Sequence, residues 1–195
     1  MIEIVRAAMT SAADALAKLR QDEDTLAAVA AAGEMLANAF LQGRSVYSCG
    51  NGGSMCDAMH FAEELSGKFR RERKALPAMA ISDPAHLSCA ANDFGYDSVF
   101  ARFVEAHGRS GDVLLAISTS GNSPNILAAA TVARQAGMKV IALTGKKPCK
   151  LEQLADLNIC TPGGTPYSDR IQELHIKVIH TLIELCEHRL FPAGK

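Results

Sequence analysis

The chain has 195 residues, carries 20 Lys and Arg against 21 Asp and Glu for a formal net charge of −1, and is 48% hydrophobic, which fits one domain, 1–195, with a core of its own. The near-zero charge and the absence of any long Lys/Arg run remove the electrostatic footprint of a nucleic-acid or anionic-membrane binder. No run of about 20 apolar residues offers a membrane span, and Met1 to Arg6 lacks a basic segment leading into an apolar one, so a soluble, cytoplasmic protein is expected.

From Ile2 to about Gln42, apolar residues recur three and four apart (Ala12, Leu16, Leu19; Leu26, Val29, Met35, Leu36, Phe40), which predicts two helices. Gln21-Asp22-Glu23-Asp24 lies between them and offers acidic caps for the second. This segment, 1–42, reads as an oligomerisation element; the alternative is that it covers one edge of a sheet. After Gly43, strand-length apolar runs (Val46–Cys49, Ala78–Ile81, Val113–Ile117, Val140–Leu143 and Leu157–Cys160) alternate with helical stretches near 54–66, 86–91, 96–107, 123–136 and 168–190. Such alternation over 43–195 predicts an α/β fold: a mainly parallel five-stranded sheet between two layers of helices, with ligands beyond the carboxyl ends of the strands. No repeat or linker divides the chain, and only Pro162-Gly163-Gly164-Thr165-Pro166 reads as a turning segment. Six scattered cysteines without a CxxC read as reduced thiols. A 5% aromatic share with no Trp leaves recognition to polar groups.

The turn Ser48-Cys49-Gly50-Asn51-Gly52-Gly53-Ser54 joins a predicted strand to a predicted helix, and its glycines let backbone N–H groups approach an anionic or hydroxylated ligand. Met55 stands where a dinucleotide fingerprint needs its third glycine, and no phosphate loop ending in Gly-Lys-Ser/Thr occurs, so NAD and ATP are disfavoured. A ligand-free glycine turn remains an open alternative. The turn Ser118-Thr119-Ser120-Gly121-Asn122-Ser123-Pro124 says more. Ser123-Pro124 is an N-cap followed by a first-turn proline, yet four hydroxyls gather at one helix start, where a single one would cap it. That excess favours a phosphate monoester held by neutral donors and the helix end.

His60 and Glu64 stand four apart on one predicted helical face, a spacing that suits a shared divalent cation, a base with its orienting partner, or plain surface electrostatics. Glu63 is rotated about 100° away, toward solvent or another helix. In the last helix Asp169, Gln172 and His180 fall within about 80° of one another among apolar residues, with His175 rotated away, so a polar strip needs partners. Gln172 and His180 are about 12 Å apart in helical rise. To meet one ion, the helix must bend or one residue must come from another subunit. A satisfied polar contact in an oligomer interface is the ordinary alternative.

Four ordered blocks carry a resemblance: Cys49-Gly50-Asn51-Gly52-Gly53-Ser54; Asp57-Ala58-Met59-His60-Phe61-Ala62-Glu63-Glu64-Leu65; Ile117-Ser118-Thr119-Ser120-Gly121-Asn122-Ser123; and Asp169-Arg170-Ile171-Gln172-Glu173-x-His175-Ile176-Lys177-Val178-Ile179-His180. Together they resemble the phosphoheptose isomerases, a branch of the SIS-domain sugar-phosphate proteins, over nearly the whole chain. The resemblance implies a three-layer αβα sandwich of flavodoxin-like type, assembled as a homotetramer with active sites at subunit interfaces. It implies one Zn²⁺ per subunit on His60, Glu64, Gln172 and His180. It further implies substrate contacts from Asn51, Gly52, Gly53, Glu64, Asn92, Asp93, Ser118, Thr119, Ser120, Ser123 and Gln172, with Glu64 and His180 as catalytic base and acid. Two departures touch no implied ligand: Met55 replaces a histidine of some members, and Lys146-Lys147-Pro148-Cys149 replaces a more glycine-rich loop.

The expected activity is conversion of D-sedoheptulose 7-phosphate to D-glycero-D-manno-heptose 7-phosphate through an enediol. This would be the first step toward ADP- or GDP-heptose for lipopolysaccharide or another surface glycan. Two other functions compete with it: a noncatalytic SIS-domain protein that binds the replication initiator, and a sugar-phosphate sensor that binds without turnover.

Overall fold

Along strand β3 (Val113–Ser118) the side chains of Val113, Leu115 and Ile117 enter one apolar core and those of Leu114 and Ala116 enter another, the period of two that a strand covered on both faces requires. The same alternation runs through β4 (Lys139–Thr144), where Ile141 and Leu143 share the first core and Val140 and Ala142 the second. The computed structural model describes residues 1–163 and 167–192. Of the turning segment expected at 162–166, Gly164, Thr165 and Pro166 lie outside the described residues.

Three further strands, β1 (Val46–Cys49), β2 (Ala78–Ala80) and β5 (Leu157–Cys160), complete a five-stranded sheet in the order β2-β1-β3-β4-β5, with every pair parallel. The first core packs under α1 (Ile2–Gln21), α2 (Glu23–Leu41), α3 (Gly53–Ser66) and α8 (Asp169–Leu190). The second packs under α4 (Pro84–Phe94), α5 (Val99–His107), α6 (Pro124–Gln135) and α7 (Lys150–Leu154). The expected α/β sandwich is therefore present, with the N-terminal helices on one of its faces. Asp22 caps α2 as its position suggests: one carboxylate oxygen accepts from the Thr25 N–H at 3.0 Å and the other from the Thr25 hydroxyl at 2.7 Å.

The strand order reverses direction between β1 and β3. From β1 the chain passes through α3 to β2 on one side; from β3 it proceeds to β4 and β5 on the other. The space beyond the carboxyl ends of the two strands beside such a reversal, here β1 and β3, is where parallel α/β sheets take their ligands. The glycine turn follows β1 and the serine turn follows β3, so both lead into it.

Candidate active site

The two turns are tied by a reciprocal amide pair. Asn51 Nδ2 donates to Asn125 Oδ1 at 2.9 Å, and Asn125 Nδ2 donates back to Asn51 Oδ1 at 2.8 Å. The Tyr96 hydroxyl adds a third bond to Asn51 Oδ1 at 3.1 Å. With its oxygen used twice and one amide hydrogen committed, the Asn51 side chain retains one N–H for a ligand. Asn125 and Tyr96 were not readable as partners, because a contact 74 residues apart leaves no periodic mark in the sequence. Asn92 and Asp93 lie exposed at the end of α4, bonded to each other at 2.8 Å, and the chain then turns through Gly95 to Tyr96.

In the serine turn, Ser123 occupies the N-cap of α6 with Pro124 at the first helical position, but its hydroxyl does not cap the helix. It faces the Ser118 hydroxyl at 3.1 Å, and Ser118 in turn lies 3.5 Å from Ser120. Three hydroxyls thus gather at the start of α6, next to Thr119. The carboxyl end of β3 leads into this cluster, and Gly121 turns the chain with φ +65°. Cys149, at the end of the loop 146–149, packs against Gly121, so that loop borders the turn. A hydroxyl cluster at a positive helix end suits an anion held by neutral donors.

The chemistry-bearing cluster lies further along α3. His60 Nε2 is 3.4 Å from Glu64 Oε1, the contact expected four residues apart, and 3.1 Å from His180 Nε2 of α8. The rings of His60 and His180 are 5.1 Å apart, and Phe69 lies 5.6 Å from His180. Burial holds His180 below the ordinary histidine range, helped by the His60, Arg70 and Lys177 charges and opposed by Glu64. Glu63 is exposed as expected, yet a carboxylate oxygen comes within 4.8 Å of the His60 and Glu64 donor atoms. Asp57, one turn before His60, is pushed up to about 6 by burial, with His60 pulling the other way, and its Oδ2 is enclosed without a hydrogen-bond partner.

His60 Nε2 makes two separations that suit donors of a shared divalent cation, 3.1 Å to His180 Nε2 and 3.4 Å to Glu64 Oε1, while the donor atoms that all lie within 4.8 Å of one another belong to His60, Glu63 and Glu64. Neighbouring donors of a tetrahedral site with bonds of ~2.0 Å are ~3.3 Å apart. Gln172 is placed elsewhere: its amide packs against the backbone of Gly53, where an added Cβ would come within 2.7 Å of Nε2. Gly53 and Gln172, then His60 and His180, are successive meeting points of α3 and α8. The second lies about 10–12 Å further along both helices. Helix α8 runs as one continuous helix from Asp169 to Leu190, with no break between Gln172 and His180. His175 belongs to the core, fully buried, with Nε2 3.1 Å from the Thr144 carbonyl.

A five-stranded parallel sheet between helices, with a glycine turn and a serine turn at its reversal, is the frame of a SIS-domain protein, and the SIS domain family model matches residues 9–145. The phosphoheptose isomerase of Vibrio cholerae serotype O1 is 55% identical over 188 residues, 96% of this chain and 98% of that protein. Among solved structures, a phosphoheptose isomerase from Francisella tularensis superposes with a TM-score of 0.90 at 32% identity, covering 96% of this chain and 98% of that one. The phosphoheptose isomerase from Neisseria gonorrhoeae gives 0.85 at 37% identity, covering 95% and 97%. The chain belongs to the phosphoheptose isomerase family.

Proposed function

We infer that this chain is an aldose-ketose isomerase that converts D-sedoheptulose 7-phosphate to D-glycero-D-manno-heptose 7-phosphate, at the entry to nucleotide-heptose synthesis for a surface glycan. The observation that carries this reading is the convergence of Glu64 and His180, 116 positions apart in sequence, on His60. They meet along the helix that begins in the glycine turn.

In the proposed arrangement the phosphate sits in the serine turn, on the hydroxyls of Ser118, Thr119, Ser120 and Ser123. Asn51, Gly52, Gly53, Asn92, Asp93 and Gln172 hold the sugar hydroxyls. The reacting carbons then lie near Glu64. Its carboxylate removes a proton from C1 of the open-chain ketose; the C–H electrons form the C1=C2 double bond, and the C2 carbonyl oxygen gains a proton. The O1 hydroxyl then gives up its proton as C2 receives one, leaving the C1 aldehyde. His180, whose proton affinity burial lowers, relays the protons between the two oxygens.

His60, Glu64 and His180 of one chain would hold a Zn²⁺, and Gln172 would reach it from a second copy, since an unbroken α8 separates it from His180 by about 12 Å of rise. Bound there, Zn²⁺ would supply Lewis-acid polarisation of the sugar oxygens. A homotetramer with shared sites agrees with the apolar side chains that α1 exposes: Ile2, Ile4, Val5 and Met9 are 52–67% accessible. No helix among the described residues is long and apolar enough to cross a membrane, in keeping with a cytoplasmic enzyme.

The test is incubation with sedoheptulose 7-phosphate in D₂O, followed by NMR. Deuterium at C2 of a newly formed aldose phosphate is expected, and Glu64→Gln should lower turnover by about 100-fold or more. Saturable binding without exchange would instead mark a sensor.

A further inference from the structure

Arg73 lies between α3 and β2 in the run Lys68-Phe69-Arg70-Arg71-Glu72-Arg73-Lys74, whose composition suggests solvated charge. Its side chain is nevertheless only 2% exposed, and that of its partner Glu187 only 3%. Nε donates to Glu187 Oε1 at 3.0 Å and Nη2 to the Glu64 carbonyl at 2.7 Å. Nη1 donates to the carbonyls of Leu65 and Gly67, both at 2.8 Å. These oxygens end α3, where helix carbonyls lack partners of their own, and a cation there also opposes the negative end of the helix dipole. Glu187 lies on α8, about two turns beyond His180. One planar group therefore bonds the backbone of Glu64 itself and ties the helix bearing His60 and Glu64 to the helix bearing His180.

We propose that Arg73 is a positioning residue of the isomerisation: by fixing the last turn of α3 on α8, it holds the Glu64 carboxylate in register with the two imidazoles. This rests on the isomerase reading above. The role needs a fork of donors pointing in several directions. A lysine ammonium at the same place keeps the charge but presents its donors from a single nitrogen, and cannot span three carbonyls and a carboxylate. A buried ion pair that served stability alone would tolerate exchange for an apolar pair, because such replacements are often neutral.

The experiment measures kcat and KM for sedoheptulose 7-phosphate, with the thermal unfolding midpoint, in the parent chain, Arg73→Lys and the double variant Arg73→Met/Glu187→Met. Both variants are expected to fold and to lose kcat by about tenfold to 100-fold, the scale of small misplacements of catalytic groups. KM should change by less than about threefold, because the turns that hold the phosphate lie outside this clamp. Parent kcat in either folded variant overturns the proposal. So does a fall in kcat/KM that comes entirely from KM, and so does failure of both variants to fold, which would leave Arg73 a purely structural residue. Absence of turnover in the parent chain would overturn the isomerase reading and the proposal with it.

Discussion

His175 and His180 stand five residues apart on α8 and serve opposite purposes. His180 faces the cluster on α3; His175 is enclosed in the core, with Nε2 directed to the Thr144 carbonyl and Nδ1 without a partner. Burial pushes His175 down to about 4, against an ordinary value of 6.5, with the bond to Thr144 pulling the other way. Between those values the unfolded chain binds the extra proton and the folded chain does not. The contribution to stability is therefore complete above about pH 6.5 and is lost as pH falls toward 4, by an amount on the order of 3 kcal/mol. Urea unfolding should record this loss between pH 7 and 4.5, and His175→Gln should give a shallower pH slope. The i, i+4 relation of His60 and Glu64 was legible because one helix carries both, and the wheel separated His175 from His180 for the same reason. Arg73 was hidden, since a guanidinium in a charged run has the same sequence appearance whether it meets water or the end of a helix.

The helices and strands followed their apolar periods closely, and the departures have local causes. Helix α7, Lys150–Leu154, escaped because five residues complete little more than one turn and show no period. Helix α4 extends to Pro84–Phe94 rather than 86–91; Asp83 accepts from the His86 N–H at 2.7 Å and Pro84 begins the helix, a start signal the apolar pattern did not use. The turns depend on one another through Asn125, which is buried at the first turn of α6 and also accepts from the Ile126 N–H at 3.0 Å. Asn125→Ala leaves the Asn51 amide without its partner, so urea unfolding should show a loss of about 1–3 kcal/mol. The same variant should raise KM for the sugar phosphate more than it lowers kcat, because in the proposed arrangement the loosened turns would hold the substrate and lie apart from His60, Glu64 and His180.

At the scale of the molecule, α1 presents Ile2, Ile4, Val5 and Met9 to solvent in a single chain, while Ala15 and Leu19 further along are buried. In the proposed tetramer other copies would cover that apolar face. Ile4→Glu combined with Met9→Glu should give smaller particles in sedimentation velocity, and activity should fall with assembly if sites are completed between chains. Unchanged sedimentation would reject α1 as the assembly surface. Composition and periodicity by themselves determined the α/β class, the five strands and the place of the glycine and serine turns, because backbone pairing and burial repeat every two or 3.6 residues and so mark the chain locally. Only the tertiary structure decided that His180 meets His60, that Gln172 packs on Gly53, that Asn51 is locked by Asn125 and that Arg73 closes the end of α3. Those contacts join segments whose separation in sequence bears no relation to their distance in space: the packing of α3 against α8 creates three of them, and the pairing of β1 with β3 brings Asn51 to Asn125.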